Sequence, residues 1–529
     1  MSQINVSNLT FGYEGSFDNV FEDVSFSIDT NWKLGFIGRN GKGKTTFLRL
    51  LLGEYEYKGS ITTDAVFDYF PYIIRGKELD MTAAELMEKW KPQAEYWKVL
   101  CELPQLSVDP GLLSRPFKTL SYGERTKVML AVLFSGENDF LLIDEPTNHL
   151  DMEARQIIKN YLSGKKGFIL VSHDRDLLDA CVDHMLILNR STIEVQSGNF
   201  TSWWENKEKK DAFARMENEK HQKEIGKLKA SADRTSRWAE KSENSKIGFD
   251  PVKENDRSIA TRSYIGAKTK KMQSRVKNFE KRIDREIDEK EGLLQDIEEN
   301  ADLKIMPLKH YKERLIRCRD LSLRYSDGKE PVTENLTFEV KQGEIVFLNG
   351  ANGSGKSSLI KAILREIQDG GDRADSCESP ESMENPGSIS ASQGGSLLLT
   401  GTLTVAPNLT VSYINQDTSH LKGSLKAHAK SLNLDYSLLL AILRQLDMNR
   451  TQFEKNMEDF SEGQKKKVLI ATSLLTPAHL YIWDEPLNYI DVFSRIQIER
   501  LIEKYKPTML IVEHDVRFRQ KLSSKEIEL

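Results

Sequence analysis

Two stretches of the chain, GRNGKGKT at residues 38–45 and GANGSGKS at residues 350–357, except for the leading glycine's neighbours, repeat one pattern: G-x-x-x-x-G-K followed by a hydroxyl residue. A concave row of backbone N–H groups can cradle phosphate only where side chains do not block the approach, which is the use of Gly38, Gly41, Gly43, Gly350, Gly353 and Gly355. Asn40 and Asn352 lie inside the two loops. A helix beginning at the loop turns the positive end of its dipole toward the anion. Lys44 and Lys356 then reach the outer phosphates of a nucleotide, and Thr45 and Ser357 are suited to ligating Mg²⁺. Thr46 and Ser358 follow on the first turn.

A second repeated block supplies acid. LLIDEP at residues 141–146 and YIWDEP at residues 481–486 are apolar strands ending in carboxylates. Asp144 and Asp484 suit the coordination shell of Mg²⁺. Glu145 and Glu485 suit the polarisation of a water attacking the γ-phosphate, work a carboxylate can do near neutral pH. His173 in ILVSHD and His514 in LIVEHD follow apolar strands at places where an imidazole contacts that phosphate. A lone histidine after a strand is usually structural; the paired occurrence favours the site.

These blocks, with LSYGERTKV at residues 120–128 and FSEGQKKKV at residues 460–468, come in the same order in each half. That is a tandem duplication. Hydrophobic runs such as KLGFIG alternate with helical runs such as TTFLRLLL, which predicts α/β architecture with a mainly parallel sheet in each half. The expected domains are 1–204, 205–300 and 301–529.

The middle segment contains little Pro or Gly and reads as two long helices with turn signals between them, a helical hairpin with its tip at about residues 245–264. From Lys220 to Arg282 there are 18 Lys and Arg against 8 Asp and Glu, an excess of +10 in a chain whose net charge is -5. Positive charge is therefore concentrated here, where it suits RNA phosphate. Trp238, Phe249 and Tyr264 could stack on bases, with Lys246, Arg257 and Arg262 beside them. The alternative is a solvated spacer whose aromatics pack between its own helices. A Ser-, Gly- and Glu-rich stretch at 370–395 reads as a disordered surface insertion. The four cysteines are scattered, without metal-type or disulfide-framework spacing, as expected of reduced thiols in the cytosol. No apolar run approaches the ~18 residues a membrane helix needs, and the first residues lack a signal-peptide pattern.

Taken together the blocks resemble ATP-binding cassette ATPases. LSYGE and FSEGQ look like that superfamily's signature sequence. The resemblance implies two tandem cassettes meeting head to tail, so that each ATP lies between the loop of one and the signature of the other. Lys44 would share a nucleotide with Ser461, Gly463 and Gln464, and Lys356 with Ser121, Gly123 and Glu124. It also implies that Tyr13 and Tyr325 stack on adenine, where the alternative is an aromatic closing a β-hairpin. Gln416 matches the family's glutamine beside Mg²⁺ and water, whereas Tyr72 stands at that place in the first half. Tyr122 and Glu462 each replace a signature glycine. The two sites are therefore expected to be unequal.

Two cassettes and a charged helical linker resemble the ABC-F family, and GRNGKGKTT, QSGNF and YIWDEPLNYIDVF look similar to its Lsa/Vga-type antibiotic-resistance branch, Lsa-type above all. That branch implies a cytoplasmic monomer that binds the 70S ribosome in its ATP state, its linker approaching 23S rRNA and the P-site tRNA. Lincosamides, streptogramin A and pleuromutilins would be displaced. An ABC-F translation factor without a drug role and the ATPase subunit of a transporter are the alternatives; drug susceptibility of a deletion strain separates the first, and a membrane partner would favour the second.

Overall fold

The computed structural model describes residues 3–14, 19–136, 139–148, 150–189, 191–244, 274, 277–279, 281–283, 285, 304–326, 331–372, 388–389 and 397–529. It divides into two units. One comprises Met1–Trp203 with Asn300–Leu529, and the other Trp204–Glu299.

In the first unit the duplicated blocks build two α/β halves. The central sheet of the first half runs Val66–Phe70, Asp139–Asp144, Phe168–Val171, Lys33–Gly38, His184–Asn189 and Thr192–Ser197, parallel except for the last pair. The second half has five parallel strands: Val411–Ile414, Leu480–Asp484, Met509–Val512, Ile345–Asn349 and Lys525–Glu528. Strands such as Phe168–Val171 and Met509–Val512 are buried at every position. This is why they read as continuous apolar runs: helices cover both faces of a parallel sheet. A smaller antiparallel sheet accompanies each half, built on Gln3–Phe11 in the first and Arg314–Tyr325 in the second.

The phosphate loops occupy the carboxyl ends of Lys33–Gly38 and Ile345–Asn349, where ligands of parallel sheets gather. Each runs straight into a helix, Lys44–Leu51 or Lys356–Asp372. The entry is possible because Gly43 and Gly355 take φ of 113° and 94°. A Cβ at Gly43 would also lie 2.4 Å from Val20 Cγ1, and one at Gly355 2.7 Å from Val332 Cγ1. Behind the first loop, Phe47 is fully buried among Phe21, Phe26 and Phe36, with ring centroids 6.0, 5.8 and 5.5 Å away. Behind the second, Leu359, Ile360 and Ile363 pack on Val346, Leu348, Ile482 and Leu510.

The expected disordered insertion over 370–395 is corrected at two points. The helix Lys356–Asp372 takes its first residues, and Ser388–Ile389 forms a short strand on Leu397 and Leu398; the rest lies outside the described residues. In the second unit the helix Phe200–Asn244 spans 45 residues, about 68 Å at 1.5 Å per residue. Ile225 on it is buried against Ile283 of a second helical segment. Trp238 lies on the long helix, while Lys246, Phe249, Arg257, Arg262 and Tyr264 fall outside the described residues. Among the described residues no helix is long and apolar enough to cross a membrane.

Phe47 fixes the helix that carries Lys44 and Thr45. Phe47→Ala is expected to cost about 3–5 kcal/mol, measured as a lower urea midpoint, and to weaken nucleotide binding at the first loop.

Candidate active sites at the seam of the two halves

Each lysine of the phosphate loops is buried and folded back over its own loop. Lys44 Nζ donates to Gly38 O at 2.8 Å and Asn40 Oδ1 at 3.1 Å, and Lys356 Nζ to Gly350 O and Ala351 O, both at 2.8 Å. Thr45 Oγ1 donates to Asp144 Oδ2 at 2.8 Å, and Ser357 Oγ to Asp484 Oδ2 at 3.0 Å. A hydroxyl and a carboxylate thus converge in both halves. Asp484 Oδ1 is buried with no hydrogen-bond partner, and burial pushes both aspartates above the usual carboxylate range. A hard divalent cation bound by such oxygens would relieve that cost, so the donor set fits one.

Glu145 and Glu485 both sit in the left-handed backbone region, at φ 51° and 47°. Strain of this kind is held at sites where the surroundings over-determine the chain. Their environments differ. Burial and then Asp144 push the Glu145 carboxyl up to about 8, against the pull of Lys44 and Arg495. Burial acts on Glu485 too, but His514, Gln416 and Lys466 more than offset it and leave it below the ordinary value. Gln416 Nε2 and Asn488 Nδ2 donate to Glu485 Oε2 at 2.8 and 2.7 Å. His514 Nε2 lies 3.8 Å from Glu485 Oε1, longer than a hydrogen bond. In the first half His173 Nε2 donates to Asn40 Oδ1 at 2.9 Å and lies 3.3 Å from Glu145 Oε1. Burial, then Lys44 and Arg495, hold His173 well below its usual value, so its imidazole is neutral.

The sequence blocks of opposite halves meet at the first loop. Asn40 Nδ2 donates to Tyr489 O at 2.7 Å. A Cβ on Gly463 would stand 2.8 Å from that same carbonyl and 3.7 Å from Asn40 Nδ2. Arg39 lies 3.5 Å from Asp447 and 5.8 Å over the Phe493 ring. Beside the second loop lies a cavity of about 450 Å³ lined by Tyr325, Asn352, Lys356, Gln416, Glu485 and His514, and closed from the first half by Leu150 and Arg155. Ser121 and Gly123 do not line it. Both signature serines instead complete capping boxes: Ser121 Oγ accepts from Glu124 N and Ser461 Oγ from Gln464 N, with Glu124 and Gln464 returning a bond to the serine N–H. Each hydroxyl proton remains available to an anion.

Tyr13 and Tyr325 place their hydroxyls on Thr46 and Ser358, at 2.7 and 2.6 Å. The Tyr13 ring packs edge-on to Phe11 and Tyr55, and Tyr325 lines the cavity. Sequence reasoning missed several neighbours. Tyr69 OH donates to Asp144 Oδ2 at 3.1 Å; strand alternation was its only signal. Asn488 follows a repeated Pro-x-Asn and was findable. Arg175 of the first half meets Glu499 of the second through both guanidinium NH groups and lies 3.6 Å from Asp515, all three buried. Nothing local marks a pair 324 residues apart.

The arrangement can hold phosphate at two loops, each beside a hydroxyl–carboxylate pair and an activated glutamate. The ABC transporter family model matches residues 21–148 and 333–488, together more than half of the chain. The chain belongs to the ABC transporter family. Its cassettes imply ATP binding and ATPase activity, and it is a tandem ATPase of the ABC-F type. It is 26% identical to the ribosome protection protein VmlR of Bacillus subtilis (strain 168), over 97% of this chain and 85% of that protein. It is also 26% identical to the erythromycin resistance ATP-binding protein MsrA of Staphylococcus epidermidis, over 94% and 92%. An archaeal ribosome recycling factor, solved with a ribosomal stalk protein, shares the fold with a TM-score of 0.58 and 19% identity, over 98% of this chain and 87% of that one.

The raised Glu145 carboxyl has a measurable sign. Its folded value, about 8, exceeds the ordinary 4.5, so its contribution to stability is complete below the ordinary value and is lost as pH rises toward 8. In nucleotide-free protein the Tm should fall from pH 5 to 8, and Glu145→Gln should flatten that slope; an unchanged slope contradicts the assignment.

Proposed function

We propose that the chain is a ribosome-protecting ATPase. ATP clamps its cassettes together, and the closed form binds the 70S ribosome and clears antibiotics from the peptidyl-transferase centre. The observation that supports this best is the approach of Asn40 to Tyr489 beside Gly463, which brings the loop of one cassette against the signature of the other. The names of VmlR and MsrA point the same ATPase toward the ribosome and drug resistance.

In this reading the glycines, Asn40 and Asn352 hold the ATP phosphates on backbone N–H groups, with Lys44 and Lys356 unfolding from their loop carbonyls to the outer phosphates. Thr46 and Ser358 orient the two tyrosines, whose rings take adenine. Thr45, Asp144, Ser357, Asp484 and Gln416 hold Mg²⁺, which neutralises charge on the phosphates when bound. Ser461, Gly463 and Gln464, and in the other site Ser121, Gly123 and Glu124, complete each site at the ends of their helices. Glu145 and Glu485 accept a proton from water, and neutral His173 and His514 donate to the γ-phosphate. Hydrolysis then removes the anion that bridged the halves, and the seam loosens.

The linker carries the effect. Its cationic segment, including Trp238, Lys246, Phe249, Arg257, Arg262 and Tyr264, contacts 23S rRNA and the P-site tRNA from the exit site, in the cytoplasm, and lincosamides, streptogramin A and pleuromutilins leave. Lsa-type members provide the nearest pattern for that spectrum.

Glu145→Gln/Glu485→Gln, which keeps the shape of both side chains but not the base, should trap the chain on 70S particles with ATP, seen as co-sedimentation well above that of the unaltered chain. Recovery no better than the unaltered chain would count against the cycle.

A further inference from the structure

Both cassettes place a glutamate at the same backbone position, yet the groups that orient it differ. In the second cassette the strand Val411–Ile414 pairs with Leu480–Asp484 in a register that sets Ile414 beside Trp483. Two residues on, Gln416 reaches back and donates to Glu485 Oε2, and Asn488 donates to the same oxygen. One carboxylate oxygen is therefore fixed by two amides. Glu485 itself lines the 450 Å³ cavity together with Lys356, Ser357 and His514.

In the first cassette the register is the same, with Phe70 beside Ile143, so Tyr72 holds the position of Gln416. It does not do the same work. The Tyr72 ring lies flat on Trp90, centroids 4.9 Å apart and planes at 6°, and its hydroxyl donates to Asp68 Oδ2 at 2.8 Å. No side-chain amide among the described residues reaches Glu145, whose Oε1 is buried without a hydrogen-bond partner. The hydroxyl that does enter this site is Tyr69, and it goes to Asp144. The Asn40 amide, meanwhile, is spent on Tyr489 across the seam, and Arg39 on Asp447. At the matching place in the second loop stands Ala351, which has no group to reach across.

We infer that the two composite sites divide the work: the site built on Lys356 and Glu485 hydrolyses ATP, while the site built on Lys44 holds its ATP and pins the cassettes. The inference rests on the ATPase reading above and adds which site turns over. At the Lys356 site a water oxygen bonds to the γ-phosphorus as the bond from that phosphorus to the β,γ-bridging oxygen breaks. The water proton passes to the Glu485 carboxylate and from there to the released phosphate, so ATP and water become ADP and inorganic phosphate. Gln416 and Asn488 are positioning residues: they aim the carboxylate that takes the proton. At the Lys44 site Glu145 has no such aim, and Arg39 and Asn40 tie the loop to the other cassette.

The test uses the full chain with 70S ribosomes, Mg²⁺ and radiolabelled ATP. Losing a general base costs on the order of 100-fold in turnover, the loss expected of Glu485→Gln, and Glu145→Gln should fall far less. Gln416→Tyr should lower turnover while ATP-dependent ribosome binding persists, which shows that the variant folds. In the unaltered chain, bound nucleotide recovered after one turnover should be one ATP retained for each ADP formed. Equal losses from the two glutamine variants, a steeper loss from Glu145→Gln, or ADP alone in the retained pool would overturn the division. No ATP hydrolysis at all by the unaltered chain would instead sink the ATPase reading, and this inference with it.

Discussion

Arg175 and Glu499 face each other across the seam of the two cassettes with hardly any access to water, and Asp515, Arg495 and Lys521 gather round them. Charges this buried are tolerable only while paired, and removing one partner of such a pair typically costs about 3–5 kcal/mol. Separation of the cassettes must return them to water. The seam therefore has two stable conditions, closed with the charges paired or open with them hydrated, and intermediate gaps are costly. An anion bound between loop and signature acts on the same choice, because it draws together N–H and hydroxyl donors from both sides. This is the physical link between a nucleotide and a movement of the whole chain.

The same network touches the chemistry. Arg495 donates to Ile490 O and Leu487 O, which shapes the turn that carries Tyr489 to Asn40. It also lies near enough to Glu145 and His173 to influence both electrostatically. Asp491 caps its own helix through Ser494 N and pairs with buried Lys467 at 3.2 Å; burial opposes its ionisation, but Lys467 and the cap prevail and hold it down at about 2. A residue of the second cassette thus stabilises the first site, and neither cassette contains a finished site alone. Duplication within one chain keeps the two halves at high effective concentration.

Much of this was legible in the residues. The phosphate loops are local: glycine at positive φ before a helix is demanded by the backbone and needs no tertiary partner to be read. Carboxylates at the ends of apolar strands, and the histidines after them, repeat in order and were equally plain. The unequal glutamine position was visible as Tyr72 against Gln416, and the strand registers agree with that alignment. Its consequence was not visible, because Tyr72 is turned away by Trp90, which stands 18 residues later on a helix. The Ser-x-x-Glu spacing of LSYGE is also a capping-box pattern, so its serine has a structural task before any ligand arrives. Arg175 with Glu499 and Arg39 with Asp447 had no local signature at all, since each depends on how two distant helices or loops come to face one another.

The most direct test is a cryo-electron microscopy map of the Glu145→Gln/Glu485→Gln chain on 70S ribosomes with ATP. The account requires two nucleotides, one between the Lys44 loop and the Ser461–Gly463 turn and one between the Lys356 loop and the Ser121–Gly123 turn, with the linker directed at the peptidyl-transferase centre. Nucleotides held by single cassettes across an open seam, or a chain bound away from the exit site, would contradict it.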